Sequence, residues 1–330
     1  MRRLFLVLGS ILLVLGSTAC RRLSLREGRA DLSCLPADSI FVASMDLARL
    51  REAPLYKNLD AEPGQLKTFL QHLGADPDRD LDELLFAFRS AGTDAGDWLV
   101  VLRGRFDRAR IEKGMEDPAA RMSVEPYRGR NIYNLVQVPD IGDVSFAVVD
   151  SSALVLGKAD AVRRVLDVRE KAAPSLEKND TMRDLVAGRD RKAQVWAVLD
   201  GRELTRLVER RRRSLPGVVP ESALKNLSAI VSTRISAVMT EDLAVLLEIG
   251  SGTDKGARTL ADAVRGILAF AKLGTQGRDP EAAAIVETIS VSESGTGVEV
   301  RMGLPGDLVM RLRERMRESP PAPGAPPARP

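Results

Sequence analysis

Histidine is nearly absent from this 330-residue chain, which holds one, His72, and two cysteines, Cys20 and Cys34. Acid–base catalysis near neutral pH most often uses histidine. The only one here falls late in "LKTFLQHLG", where it reads as a packing residue or a helix-end cation. Zinc centres built from cysteine and histidine are excluded by count, and no metal or cofactor is expected. Aromatic residues make up 4% of the chain, so its cores must be aliphatic. The net charge of +3 gives nucleic-acid binding no electrostatic basis. "GKADAV" lacks the glycine and Lys-Ser/Thr pair of a phosphate loop, and no G-x-S-x-G elbow occurs.

Other short motifs give way to structural readings. "SALK", Ser222 to Lys225, fits S-x-x-K but has no S-D-N or K-T-G partner, so it reads as a capped helical turn. "DPDRDLDELLFA" starts like a calcium loop, yet Leu81 stands where glycine and Ala87 where glutamate is needed. Asp78 or Asp80 is expected to cap a helix there. Asp46 and Asp200 each follow an apolar strand at matching places, which suits a helix cap needed in every copy better than a single catalytic site.

What is present is concentrated at the N-terminus. Arg2 and Arg3 precede an uncharged run from Leu4 to Ala19. As a helix that run rises about 24 Å, short of the ~30 Å hydrocarbon core, which favours a removable export signal over a permanent span. Gly16-Ser17-Thr18-Ala19-Cys20 resembles the lipobox of bacterial lipoproteins, with Ser17 where leucine is commonest. The resemblance implies cleavage after Ala19 and acylation of Cys20, with palmitate among the chains attached. It also implies a membrane anchor facing the periplasm. Arg21 is not the aspartate used for inner-membrane retention, so the outer membrane is the expected destination. The stretches "LPADSIFVASMDLARLREAPLYKNL" and "GRFDRARI" are similar to segments of uncharacterised exported bacterial lipoproteins, which brings no assigned activity. Cys34, in apolar "LSCLP", reads as a buried small hydrophobe, against an interchain disulfide or a reactive thiol.

The rest alternates apolar strands with amphipathic helices. The fold class is α+β, in two pseudo-repeated modules of mainly antiparallel sheet with helices on the sheet faces. The expected division is a signal peptide at 1–19, a tether at 20–34, modules at 35–190 and 191–318, and a Pro-rich tail at 319–330. The repeat rests on pattern: "VWAVLDGRELTRLV" echoes "FVASMDLARLREAP", and "GDLVMRLRERM" echoes "KADAVRRVL". The helix from Asp254 to Lys272 carries Ala257, Leu260, Ala261, Val264, Ile267, Leu268 and Ala271 at helical spacing. The arginine run Arg210, Arg211, Arg212 and Arg213 reads mainly as a solvated helix end, with contact to an anionic surface as its functional reading. Three functions remain: an envelope protein that binds an unidentified partner, a carrier or chaperone for a lipid or other hydrophobic ligand, and a carboxylate-based hydrolase.

Overall fold

The structure is a computed structural model that describes residues 32–59, 70–71, 74–89, 97–114, 122–138, 142–211, 228–275 and 279–318. The signal peptide with Cys20, the tether up to Asp31 and the tail at 319–330 lie outside these residues, as do His72 and Ser222–Lys225. Along the chain come β1 (Ser39–Asp46), α1 (Leu47–Leu50), α2 (Pro54–Asn58), α3 (Pro77–Asp80), β2 (Leu81–Arg89) and β3 (Asp97–Gly104). Next are α4 (Arg108–Gly114) and four strands: β4 (Met122–Tyr127), β5 (Arg130–Val138), β6 (Gly142–Asp150) and β7 (Ala153–Gly157). Then follow α5 (Ala159–Arg169), α6 (Asp180–Ala187), β8 (Val195–Asp200) and α7 (Gly201–Arg211). The remainder is β9 (Ile230–Met239), β10 (Leu243–Ser251), α8 (Asp254–Thr275), α9 (Pro280–Glu287), β11 (Ser290–Ser294), β12 (Gly297–Leu304) and α10 (Gly306–Glu318).

The fold is α+β, as expected. Among the described residues the strands form one 12-stranded sheet in the order β11-β12-β10-β9-β8-β1-β2-β3-β7-β6-β5-β4. Neighbouring strands run antiparallel throughout. The two halves meet at β1 and β8, where Phe41–Met45 pairs with Val195–Leu199 and Ala43 lies opposite Ala197. The sheet is therefore continuous across that seam.

Local chemistry explains the turns. Arg128 and Gly129 join β4 to β5 with φ of 50° and 69°, the double positive φ that a two-residue hairpin matching strand twist requires. The apolar-patterned segment "LARLREAPLYKNL" forms two short helices instead of one. Ala53, forced extended by the following Pro54, has φ −68° and ψ 130°, which ends one turn and starts another.

Alternation along the strands sorts side chains onto two faces. Val42, Leu85, Val101, Ala147, Val155, Trp196 and Val198 form one core, covered by Ala161, Val162, Val165 and Leu166 of α5 and by Met182, Leu185 and Val186 of α6. Met45, Leu84, Leu102, Phe146, Val148 and Leu154 face the other way and meet α1, α2 and Ile111 of α4. A smaller cluster joins Ile249 and Val298 to Ala257, Leu260 and Ala261 of α8. Packed structure begins within the span read as tether: Leu32–Cys34 form a 3-10 turn with Leu32 buried in the first core. Cys34 is half-buried against that core.

Candidate functional site

The candidate carboxylates are held by backbone amides. Asp46 Oδ1 accepts the Arg49 amide at 2.9 Å, and Asp200 Oδ1 accepts those of Arg202 and Glu203 at 3.0 and 3.2 Å. Both cap the helical turn that follows their strand. Burial pushes the Asp46 carboxyl above its ordinary range, opposed by the Arg49 amide.

In "DPDRDLD" the cap is Asp76, not Asp78 or Asp80. Pro77 takes the first helical position, where a missing N–H costs nothing, so the extended residue before it becomes the cap. Asp76 Oδ1 accepts the Asp78 amide at 3.1 Å, and Asp80 Oδ2 accepts the Asp76 amide at 2.9 Å. Asp80 also pairs with Arg79 at 2.8 Å, and Asp82 lies 3.6 Å from Arg105.

Arg79, Asp80 and Arg105 border an open cleft of about 470 Å³, whose lining also includes Ala75, Phe106, Asp107, Arg110, Ile111 and Ser151. Arg105 donates to the Arg79 carbonyl, and Asp107 Oδ1 accepts the Arg110 amide at 3.1 Å. Three arginines against two aspartates leave a small positive excess. The cleft mixes charged side chains with apolar surface from Ala75, Phe106 and Ile111, and its two carboxylates already engage an arginine or a backbone amide.

Two further ionisable groups are tied to the sheet. Glu83 on β2 accepts the Ser44 hydroxyl at 2.7 Å and lies 3.8 Å from Arg103. Burial raises its pKa, with the Ser44 hydrogen bond opposing. Arg89, at the end of β2, donates from Nε to Asp38 at 2.8 Å and from Nη1 to Asp97 of β3 at 3.2 Å. Burial works to raise the Asp38 carboxyl, but the bond and charge of Arg89 outweigh it and hold the pKa low. Both groupings are cross-strand ties; neither opens onto the cleft.

The feature with no internal explanation is α8. At 22 residues it is about 33 Å long, and it packs on β10, β12 and β11. Its first half buries Ala257, Leu260 and Ala261. Farther along, Ile267, Phe270 and Leu273 are 68%, 79% and 74% exposed. The apolar face read for this helix is buried only in its first half: Ile267, about 20° round the helix from Leu260, is exposed. Phe270 and Leu273 were missed because they fall outside the packing face, and their signal was an apolar arc too wide for one contact.

Of the arginine run, Arg210 and Arg211 close the last turn of α7, and Arg212 and Arg213 lie outside the described residues. Among the described residues no helix is long and apolar enough to cross a membrane.

No family model matches the chain, and no curated protein matches it. Among solved structures, TP0453 in crystal form IV aligns over 86% of this chain and 95% of that chain, at 8% identity and a TM-score of 0.42.

Proposed function

We propose that the chain is a lipid-anchored protein of the bacterial cell envelope, facing the periplasm and acting by binding rather than catalysis. The observation that carries this reading is Gly16-Ser17-Thr18-Ala19-Cys20, which closes the sixteen-residue uncharged run that follows two arginines. Acylation of Cys20 with several chains gives firm attachment, since one chain binds only marginally. Arg21 favours the outer membrane. The binding role draws support from the exposed apolar arc of α8, because the largest apolar patch on a protein surface is often a functional one.

The body is read as two related modules, at 35–190 and 191–318. Outward from the β1–β8 seam, the order β1-β2-β3-β7-β6 corresponds to β8-β9-β10-β12-β11. Asp46 and Asp200 stand at equivalent strand ends.

The test is metabolic labelling with palmitate, followed by crosslinking and pull-down from envelope membranes, comparing wild type with Cys20→Ala. Label on the wild type and none on the variant is expected. An unlabelled wild type overturns the lipoprotein reading.

A further inference from the structure

We propose that the distal half of α8 is a bilayer-docking face, which lays Ile267, Phe270 and Leu273 into the surface of the membrane that carries the Cys20 lipid. The inference rests on the anchor reading above and adds a second, independent contact with the same membrane.

The helix has three sides. At about 100° per residue, Ala257, Leu260 and Ala261 face the sheet, and Ile267, Phe270 and Leu273 form an exposed arc of about 120° that begins about 20° from Leu260 and turns away from it. The third side carries Arg258, Arg265 and Lys272, spaced by seven residues within an arc of about 40° and all exposed. From Ala263 to Thr275 the sequence holds two basic residues and no acidic one. Arg265 is partly neutralised by Asp262 and Glu293, at 3.1 and 2.7 Å. A large-side-chain apolar arc beside a basic stripe is the pattern of helices that lie in the membrane interface, where the stripe meets anionic head groups. Gly266 and Gly274 have open space around their α-carbons, so the arc is low in relief.

The face is also held in place. Asp279 caps α9 by accepting the Ala282 amide at 3.1 Å, and Arg315 of α10 donates to Asp279 and Glu281 at 2.6 and 3.3 Å. The α8–α9 pair is thereby braced against the C-terminal helix.

The occupant is a bilayer and not a second copy, on grounds of size. Three side chains exposed by about three quarters offer roughly 400 Å², half of the ~800 Å² per partner in a stable protein interface. Reach agrees with this. The chain from Cys20 to Leu32 spans at most about 40 Å when extended. It enters the sheet at β1, five strand spacings or about 24 Å from edge strand β11, which α8 contacts. An anchored lipid and the α8 arc can meet one membrane plane.

The full chain is reconstituted in phosphatidylethanolamine–phosphatidylglycerol vesicles whose acyl chains are brominated, and its tryptophan emission is read. Three proteins are compared: wild type with its own Trp98 and Trp196, Phe270→Trp, and Val124→Trp on the far edge strand β4, where Val124 is 51% exposed. Emission from Phe270→Trp, corrected for the wild-type signal, is expected to fall at least twofold with brominated lipid, and Val124→Trp emission is expected to stay unquenched. Equal quenching of the two variants on vesicle-bound protein overturns the docking face. So does a blue shift of Phe270→Trp that depends on protein concentration and not on bromine, which would mark a second copy. Palmitate labelling of the same preparations separates the two claims. Quenching without label removes the anchor and keeps the face, and label without quenching does the reverse.

Discussion

Replacing Arg89 by methionine tests whether the ends of β1, β2 and β3 are held by charge. The Arg89 side chain is 5% exposed and its strand partner Asp97 10%, whereas Asp38 is 52% exposed. Methionine keeps the length and apolar stem of arginine and removes the guanidinium, which leaves Asp97 a buried carboxylate without its cation. Breaking a buried pair from one side costs about 3–5 kcal/mol, a large part of a folded chain's total stability of about 5–15 kcal/mol. Asp38→Ala, by contrast, deletes a contact that water screens and should cost at most about 1 kcal/mol. Arg89→Met combined with Asp97→Leu removes both buried charges and should recover most of the loss, because an apolar pair of similar volume is often neutral in such a place. Urea unfolding followed by circular dichroism at pH 7 gives the three values, with a constant slope as the check that the folded state is unchanged. The reasoning fails if Arg89→Met costs less than 1 kcal/mol, if the double variant is no more stable than the single, or if Asp38→Ala equals Arg89→Met.

Close backbone approach sets a second outcome. A β-carbon at Gly104 would lie 1.9 Å from the Asp80 carbonyl oxygen, whereas one at Gly303 meets nothing within 4 Å. Gly104→Ala should therefore yield little folded protein by soluble expression and circular dichroism, and Gly303→Ala should match wild type; equal behaviour would contradict the strand-end packing. A third concerns pH. The pKa of Glu83 is raised on folding, so its contribution to stability is complete below the ordinary carboxylate value and is lost as pH rises through the raised one. Glu83→Gln should flatten that decline in urea midpoints measured between pH 4 and 8, and an unchanged decline would assign it to other groups.

Much of the architecture was legible in local pattern. Short apolar runs such as "SIFVASMD" and "ALVLG" became strands whose alternate residues face opposite cores. Aspartates before apolar helical runs became caps, because the orphan amides of a helix start need an acceptor wherever the start falls. The face of α5 followed from spacing alone, with Ala161, Val162, Val165 and Leu166 all buried. Cys20 belongs wholly to this level, as its reading depends on the order of charge, apolar run and small residues.

Tertiary structure decided what lies beyond the reach of neighbouring residues. Nothing local chose β8 as the partner of β1, or placed β7 beside β3 and β4 at the edge, because strand pairing joins backbone groups that every strand offers alike. The Arg89 ties to Asp38 and Asp97 bring together residues 51 and 8 positions away, and only the β1–β2–β3 register makes them neighbours. The fate of α8 was settled in the same way. Helical periodicity assigns an apolar residue to an arc, but whether that arc is buried depends on how far the sheet extends beneath it. Only the tertiary packing buries Ala257, Leu260 and Ala261 of α8 and leaves Ile267, Phe270 and Leu273 facing outward.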